Sequence, residues 1–139
     1  MEPRISIITL GVTDLARSTA FYRDGLGFPV HDAGGPSITF FLLENVMLSL
    51  YPRDALMAEA NPGQADAGQA PHAFTIAHNV ASRAEVDAVI AEAEAAGAAI
   101  VKPASETFWG GYSGYFADPD SFRWEVATGS GLPVDPSAG

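Results

Sequence analysis

No cysteine occurs in the 139 residues, which excludes disulfide staples, thiolate nucleophiles and zinc-thiolate sites and fits a cytoplasmic location. Cations are scarce as well: seven Lys and Arg against seventeen Asp and Glu leave a net charge of −10. The seven are scattered rather than clustered, so neither nucleic acid nor an anionic membrane is an expected partner. No apolar run approaches the roughly 18 residues of a membrane span. Met1-Glu2-Pro3-Arg4-Ile5 lacks the basic patch and apolar stretch of a signal peptide. A nucleophile elbow, a phosphate-cradling loop and a dinucleotide fingerprint are all missing, and Gly110-Gly111 stands between strands rather than opening a helix. His31 and His78 are single histidines without partners at ligand spacing.

What is present is material for a core. At 47% hydrophobic residues the chain can bury enough apolar surface to fold as one domain without covalent staples. A pattern of strand, helix and three strands occurs twice. Arg4 to Val12 alternates, with Ile8, Leu10 and Val12 on one face and Ile5, Ile7 and Thr9 on the other. Thr13 or Asp14 can cap a helix whose stripe is Leu15, Ser18, Phe21, Tyr22 and Leu26. Short runs at 28–31, 37–43 and 46–51 read as three antiparallel strands. The Ala, Gly, Pro and Asn content of 53–70 reads as a linker with a helical turn around Ala55 to Ala60.

The second half repeats the scheme from a strand at 72–77. Ser82 with Glu85 forms a capping box, Val86, Val89, Ile90 and Ala93 recur at helical spacing, and Gly97 ends the helix. Strands at 100–105, 111–117 and 122–127 complete it, followed by a Gly, Pro and Ser rich tail at 128–139. Its last two strands meet at Asp118-Pro119-Asp120, a turn preset by proline and capped by Asp side chains. Beyond that turn Phe122, Trp124 and Val126 share one strand face, while Arg123 and Glu125 share the other. Glu125 is thus a carboxylate carried on the face opposite the apolar one.

Leu10-Gly11-Val12-Thr13-Asp14-Leu15 with Ser18, Phe21-Tyr22 and Leu26-Gly27-Phe28 resembles the opening motif of the vicinal oxygen chelate superfamily. That superfamily includes glyoxalase I, extradiol dioxygenases, fosfomycin resistance enzymes and bleomycin resistance proteins. Asp118-Pro119-Asp120 with Trp124-Glu125-Val126 resembles its closing motif. The resemblance implies an α+β fold of two βαβββ modules, 4–52 and 71–127, whose curved mixed sheets surround a cavity, and a homodimer. One difference is local: Ser121 stands where the family usually has glycine after the turn.

Members that bind a metal place one ligand on the first and one on the last strand of each module, using His, Gln or Glu. Carried onto this chain, those positions fall on Ile7, Ser49 and Glu125. The fourth is ambiguous, falling on Pro71 by spacing with His72 one residue later. His72 shares parity with Phe74 and Ile76, so a regular strand points it away from the cavity and a bulge points it inward. Ile7 has no lone pair and Ser49 is a poor transition-metal ligand, so affinity is expected to be weak even with His72 and Glu125 together. Arg123 can also neutralise Glu125 as an ion pair.

Two functional readings follow. The first is a metal-free protein that binds a small molecule in a partly aromatic cavity, with Ile7, Ser49, Tyr51, Trp109, Tyr112 and Arg123 as ligand-binding residues and no cofactor. The second is a lyase, isomerase or dioxygenase using Glu125 as metal ligand or catalytic base, with one divalent ion held by His72 and Glu125.

Overall fold

A computed structural model describes Met1, residues 3–60, residues 75–134 and Pro136. The chain divides into two compact units, Met1–Pro71 and His72–Gly139. Each contains a four-stranded mixed sheet carrying a helix on one face, and neither sheet closes on itself. These are the two βαβββ modules of an α+β fold.

In the first module, β1 (Ile7–Val12) leads into α1 (Leu15–Ala20), capped by the Asp14 side chain, which accepts the Arg17 N–H at 3.0 Å. The helix widens into a π-helical turn, Phe21–Gly25, where Leu26 N–H reaches back five residues to the Phe21 carbonyl. β2 (Val30–Gly35), β3 (Ile38–Leu42) and β4 (Met47–Pro52) follow, and the sheet order is β1-β4-β3-β2 with β1 parallel to β4. Leu10, Val12, Phe41, Leu48 and Leu50 form the helix-side core. Tyr22 is fully buried there, its ring 5.6 Å from Phe28 and 5.9 Å from Phe41. The expected helical turn is longer than the sequence suggested: α2 runs Arg53–Ala60 directly from β4. Gly11 permits its approach, since a Cβ there would sit 3.2 Å from Arg53 Cα and Leu56 Cδ2.

In the second module, β5 (Ile76–Asn79) precedes α3 (Arg83–Ala95), then β6 (Ala99–Glu106), β7 (Tyr112–Ala117) and β8 (Arg123–Thr128) in the order β5-β8-β7-β6. The part of the expected first strand that includes His72 lies outside the described residues. Ser82 Oγ accepts the Glu85 N–H at 3.2 Å, and Glu85 Oε2 accepts the Ala81 N–H at 2.7 Å. The box therefore closes one residue before the cap, on Ala81 rather than Ser82. Beneath α3, Phe116 and Trp124 stack with ring centres 6.0 Å apart, beside buried Val86, Ala93 and Val126.

The β7–β8 turn is organised by Asp118, only 5% exposed. Its Oδ1 accepts the N–H groups of Asp120 and Phe122, both at 2.9 Å. Ser121 has φ of +71°, the left-handed conformation that glycine adopts without a steric penalty. Ser121→Gly is expected to raise stability by about 1 kcal/mol, and an unchanged or lower melting temperature would contradict it. Thr128, at the end of β8, is buried with no partner for its hydroxyl among the described residues. A buried unsatisfied hydroxyl costs roughly 1–3 kcal/mol, so the near-isosteric Thr128→Val is expected to stabilise the module by about 1 kcal/mol. A drop in the urea midpoint of that variant would mean that the hydroxyl has a partner after all.

Candidate functional site

Strand parity leaves each sheet with a second face turned away from its helix, and most of the candidate residues lie there. In the first module the pairing of β1 with β4 sets Ile7 opposite Met47, Thr9 opposite Ser49 and Gly11 opposite Tyr51. Ile7 is 47% exposed and apolar. Ser49 is fully buried, and its hydroxyl shares a 2.6 Å hydrogen bond with that of Thr9. Part of its polar capacity is thus engaged inside the sheet, whichever of the two hydroxyls donates. Tyr51 is partly exposed at the end of β4.

In the second module the corresponding face carries a continuous row. Ala77 on β5 pairs with Glu125 on β8, Glu125 with Tyr115 on β7, and Tyr115 with Lys102 on β6. Directly opposed residues on neighbouring strands share a face at roughly 5 Å. Desolvation, then the Glu125 charge and a hydrogen bond to it, raise the Tyr115 phenol above its ordinary value near 10. The phenol is therefore protonated at neutral pH, with a proton available to donate. Its contribution to stability is present below pH 10 and fades as pH climbs through the raised folded value.

Arg123 is on this face too, opposite Ala117. It does not form the expected ion pair with Glu125 among the described residues; its Nη1 donates to the Ser121 carbonyl at 2.7 Å. The turn captures the guanidinium because Ser121, in its left-handed conformation, leaves that carbonyl free to accept it. Glu125 consequently has no cationic partner within the sheet among the described residues.

Two aromatic candidates lie elsewhere. Tyr112 pairs with Thr128 on the helix side, its hydroxyl donating to Asp87 Oδ1 on α3 at 2.7 Å, with the Arg83 guanidinium 5.1 Å from its ring centre. That bond to Asp87, ahead of desolvation, raises its phenol as well. Tyr112 thus ties α3 to the sheet and does not line the face of Glu125. Parity within β7 is sufficient to show this, since Tyr112 shares a face with Phe116 and not with Tyr115. Trp109 sits in the β6–β7 loop, partly exposed, with its ring folded over Gly111. The loop is held by Thr107, whose Oγ1 accepts the Gly111 N–H at 2.9 Å and whose N–H donates to the Gly111 carbonyl at 3.0 Å.

The two modules can also be aligned on their helix caps. Thr9 lies five residues before the cap Asp14 and faces Ser49, and Ala77 lies five before the cap Ser82 and faces Glu125. Counted from the same caps, the second-module counterpart of Ile7 is Thr75, three residues after His72. His72 itself lies outside the described residues. The cap is the better anchor because a helix N-terminus is fixed by a hydrogen bond, whereas a strand beginning has no such marker.

A family model describing the Glyoxalase/Bleomycin resistance protein/Dioxygenase superfamily matches residues 4–126. The chain belongs to that superfamily. A glyoxalase-related enzyme from Fulvimarina pelagi is similar to it at 29% identity and a TM-score of 0.85, over 98% of this chain and 95% of the other. A glyoxalase/bleomycin resistance protein/dioxygenase from Nocardioides is similar at 26% identity and a TM-score of 0.72, over 91% and 83% of the two chains. A lactoylglutathione lyase from Agrobacterium tumefaciens shares the fold at 24% identity and a TM-score of 0.67, over 95% and 98%. No curated protein matches the sequence.

For a member of this superfamily the donor set is poor. Ile7, Ser49, Thr75 and Glu125 supply one carboxylate, two hydroxyls and an alkyl group. Among the described residues no three His, Asp or Glu side chains are grouped to hold a metal ion. Divalent transition ions need three or four imidazole, thiolate or carboxylate ligands. The residues at these positions do not fit such an ion.

Proposed function

We propose that this chain is a metal-free small-molecule binding member of its superfamily, acting in the cytoplasm as a homodimer. One observation carries the reading: the strand positions that serve relatives as metal ligands here hold Ile7, a Ser49 bonded to Thr9, Thr75 and a Glu125 set opposite Tyr115. In the second module, Glu125 and Tyr115 are the polar anchors, with Arg123 beside them on β8. In the first, Ile7 and Tyr51 offer apolar and aromatic surface flanking Ser49. Each face presents apolar or aromatic surface with a few polar groups, which suits a small organic ligand. Trp109 contributes from its loop.

The test is a thermal-shift screen of small organic molecules on the full chain, repeated with Glu125→Gln and Tyr115→Phe. Hits are expected, and at least one class should bind about tenfold more weakly to Glu125→Gln, the loss of one charge-assisted hydrogen bond. A screen whose hits ignore both substitutions would overturn the assignment of this face.

A second reading rests on the Tyr115 contact. A phenol beside a carboxylate is an acid beside a base, so Glu125 would remove a proton next to a carbonyl in a lyase or isomerase, or serve as a metal ligand in a metal-dependent lyase, isomerase or dioxygenase. Elemental analysis after exposure to nickel, zinc, manganese and iron tests the metal-dependent form of this second reading. Near one ion per chain would put the metal-dependent enzyme first.

A further inference from the structure

We infer that the row Lys102, Tyr115 and Glu125 is built to take a zwitterion whose opposite charges lie about one aromatic ring apart, as in a dipeptide. The inference rests on the proposed ligand face and names the class of molecule it accepts. Register supplies the geometry. Lys102 stands opposite Tyr115, and Tyr115 opposite Glu125, so all three side chains leave the same face of three successive strands. With strands about 4.8 Å apart, the two charged residues are separated by roughly 10 Å at Cα, with the phenol between them.

Charge supplies the chemistry. Lys102 is the chain's only lysine. Neither it nor Glu125 forms an ion pair among the described residues, although Arg23 and Arg83 both have carboxylate partners. In a protein of net charge −10 this face carries two cations, Lys102 and Arg123, against one carboxylate. A purely cationic ligand would satisfy Glu125 and be repelled by both. A purely anionic one would leave Glu125 bare. A ligand carrying both charges meets Glu125 with its ammonium and Lys102 with its carboxylate, while its middle lies on the Tyr115 ring. Two residues of extended chain span about 7 Å, which matches the gap once the side chains lean inward.

A bulge supports the placement of Lys102. Ile100 pairs with Phe116 on the helix side, yet Lys102, two residues on, pairs with Tyr115, the immediate neighbour of Phe116. The extra residue switches the lysine to the face of Glu125; regular alternation would have put it over α3.

Isothermal titration of the full chain at low salt tests the idea with glycylphenylalanine and its two half-charged forms, N-acetylglycylphenylalanine and glycylphenylalaninamide. The dipeptide is expected to bind about tenfold more tightly than either blocked form, and added salt should weaken it. Glu125→Gln should reduce the dipeptide to the affinity of the N-acetyl form. Lys102→Met should reduce it to that of the amide. Blocked forms binding within about twofold of the dipeptide, or a Lys102→Met variant unchanged toward it, would show that Lys102 is simply a solvated surface residue and overturn the inference. If other screened molecules still lose affinity in Glu125→Gln under those conditions, the broader small-molecule reading stands and only the zwitterion assignment falls.

Discussion

Asp118→Ala is expected to cost the chain about 3 kcal/mol. The carboxylate is buried in the β7–β8 turn, and one oxygen receives two backbone N–H groups at 2.9 Å. Alanine leaves the Phe122 N–H unsatisfied beside a buried ring, and a buried donor without a partner costs more than a bond made in water gains. The same turn holds Arg123 through the Ser121 carbonyl, so its loosening should also weaken ligand binding at Glu125, two residues along β8. Asp118→Asn separates the contributions, since its side-chain carbonyl can accept both N–H groups without the negative charge. That variant should lose about half as much. Urea denaturation of the two variants checks this, and a loss under about 1 kcal/mol for alanine would mean that the turn is held chiefly by its backbone bonds.

Gly111→Ala should be nearly as damaging, by about 2–3 kcal/mol, for a purely steric reason. A Cβ at this position would lie 1.9 Å from one Trp109 ring carbon, 2.4 Å from another and 2.5 Å from the Thr128 carbonyl oxygen. The indole can swing away; the carbonyl belongs to the β8 backbone and cannot. The expected result is therefore both a lower melting temperature and a red-shifted tryptophan emission as the Trp109 ring moves into water. Gly110→Ala is the control. Gly110 has φ of +91° and no atom within 4 Å of its ideal Cβ, so alanine there costs about 1 kcal/mol in backbone strain without displacing the indole. Equal emission shifts in both variants would show that Trp109 is not seated on Gly111.

Both predictions concern the hairpin whose sequence is the most legible in the chain, and the contrast within it has a physical cause. Proline and aspartate chemistry announces the turn, alternation puts Glu125 on the face opposite Trp124, and the departure from glycine at Ser121 marks a left-handed residue, which has φ of +71°. Each depends on neighbours within four or five residues. Tyr115 is absent from the residues expected at the site although it pairs directly with Glu125. Its register can be counted outward from the turn, but the cluster of rings from Phe108 to Tyr115 points to Tyr112 on composition alone.

Element types, the apolar face of each strand, the caps at Asp14 and Ser82 and, through its motifs, the superfamily can all be read from the order of residues. They follow from local periodicity and short-range hydrogen bonding, which act within single segments of chain. Which polar groups are already engaged emerges only on folding. Ser49 is a free hydroxyl until β1 brings Thr9 beside it from forty residues away, and Arg123 is a candidate partner of Glu125 until the turn claims it. The assembled sheets also set Ala77 opposite Glu125 as Thr9 is set opposite Ser49, and a bulge in β6 turns Lys102 toward Tyr115. Such facts depend on strand register between distant segments. A shift of one residue there reverses every side chain on the strand, and alternation within a single strand carries no record of it.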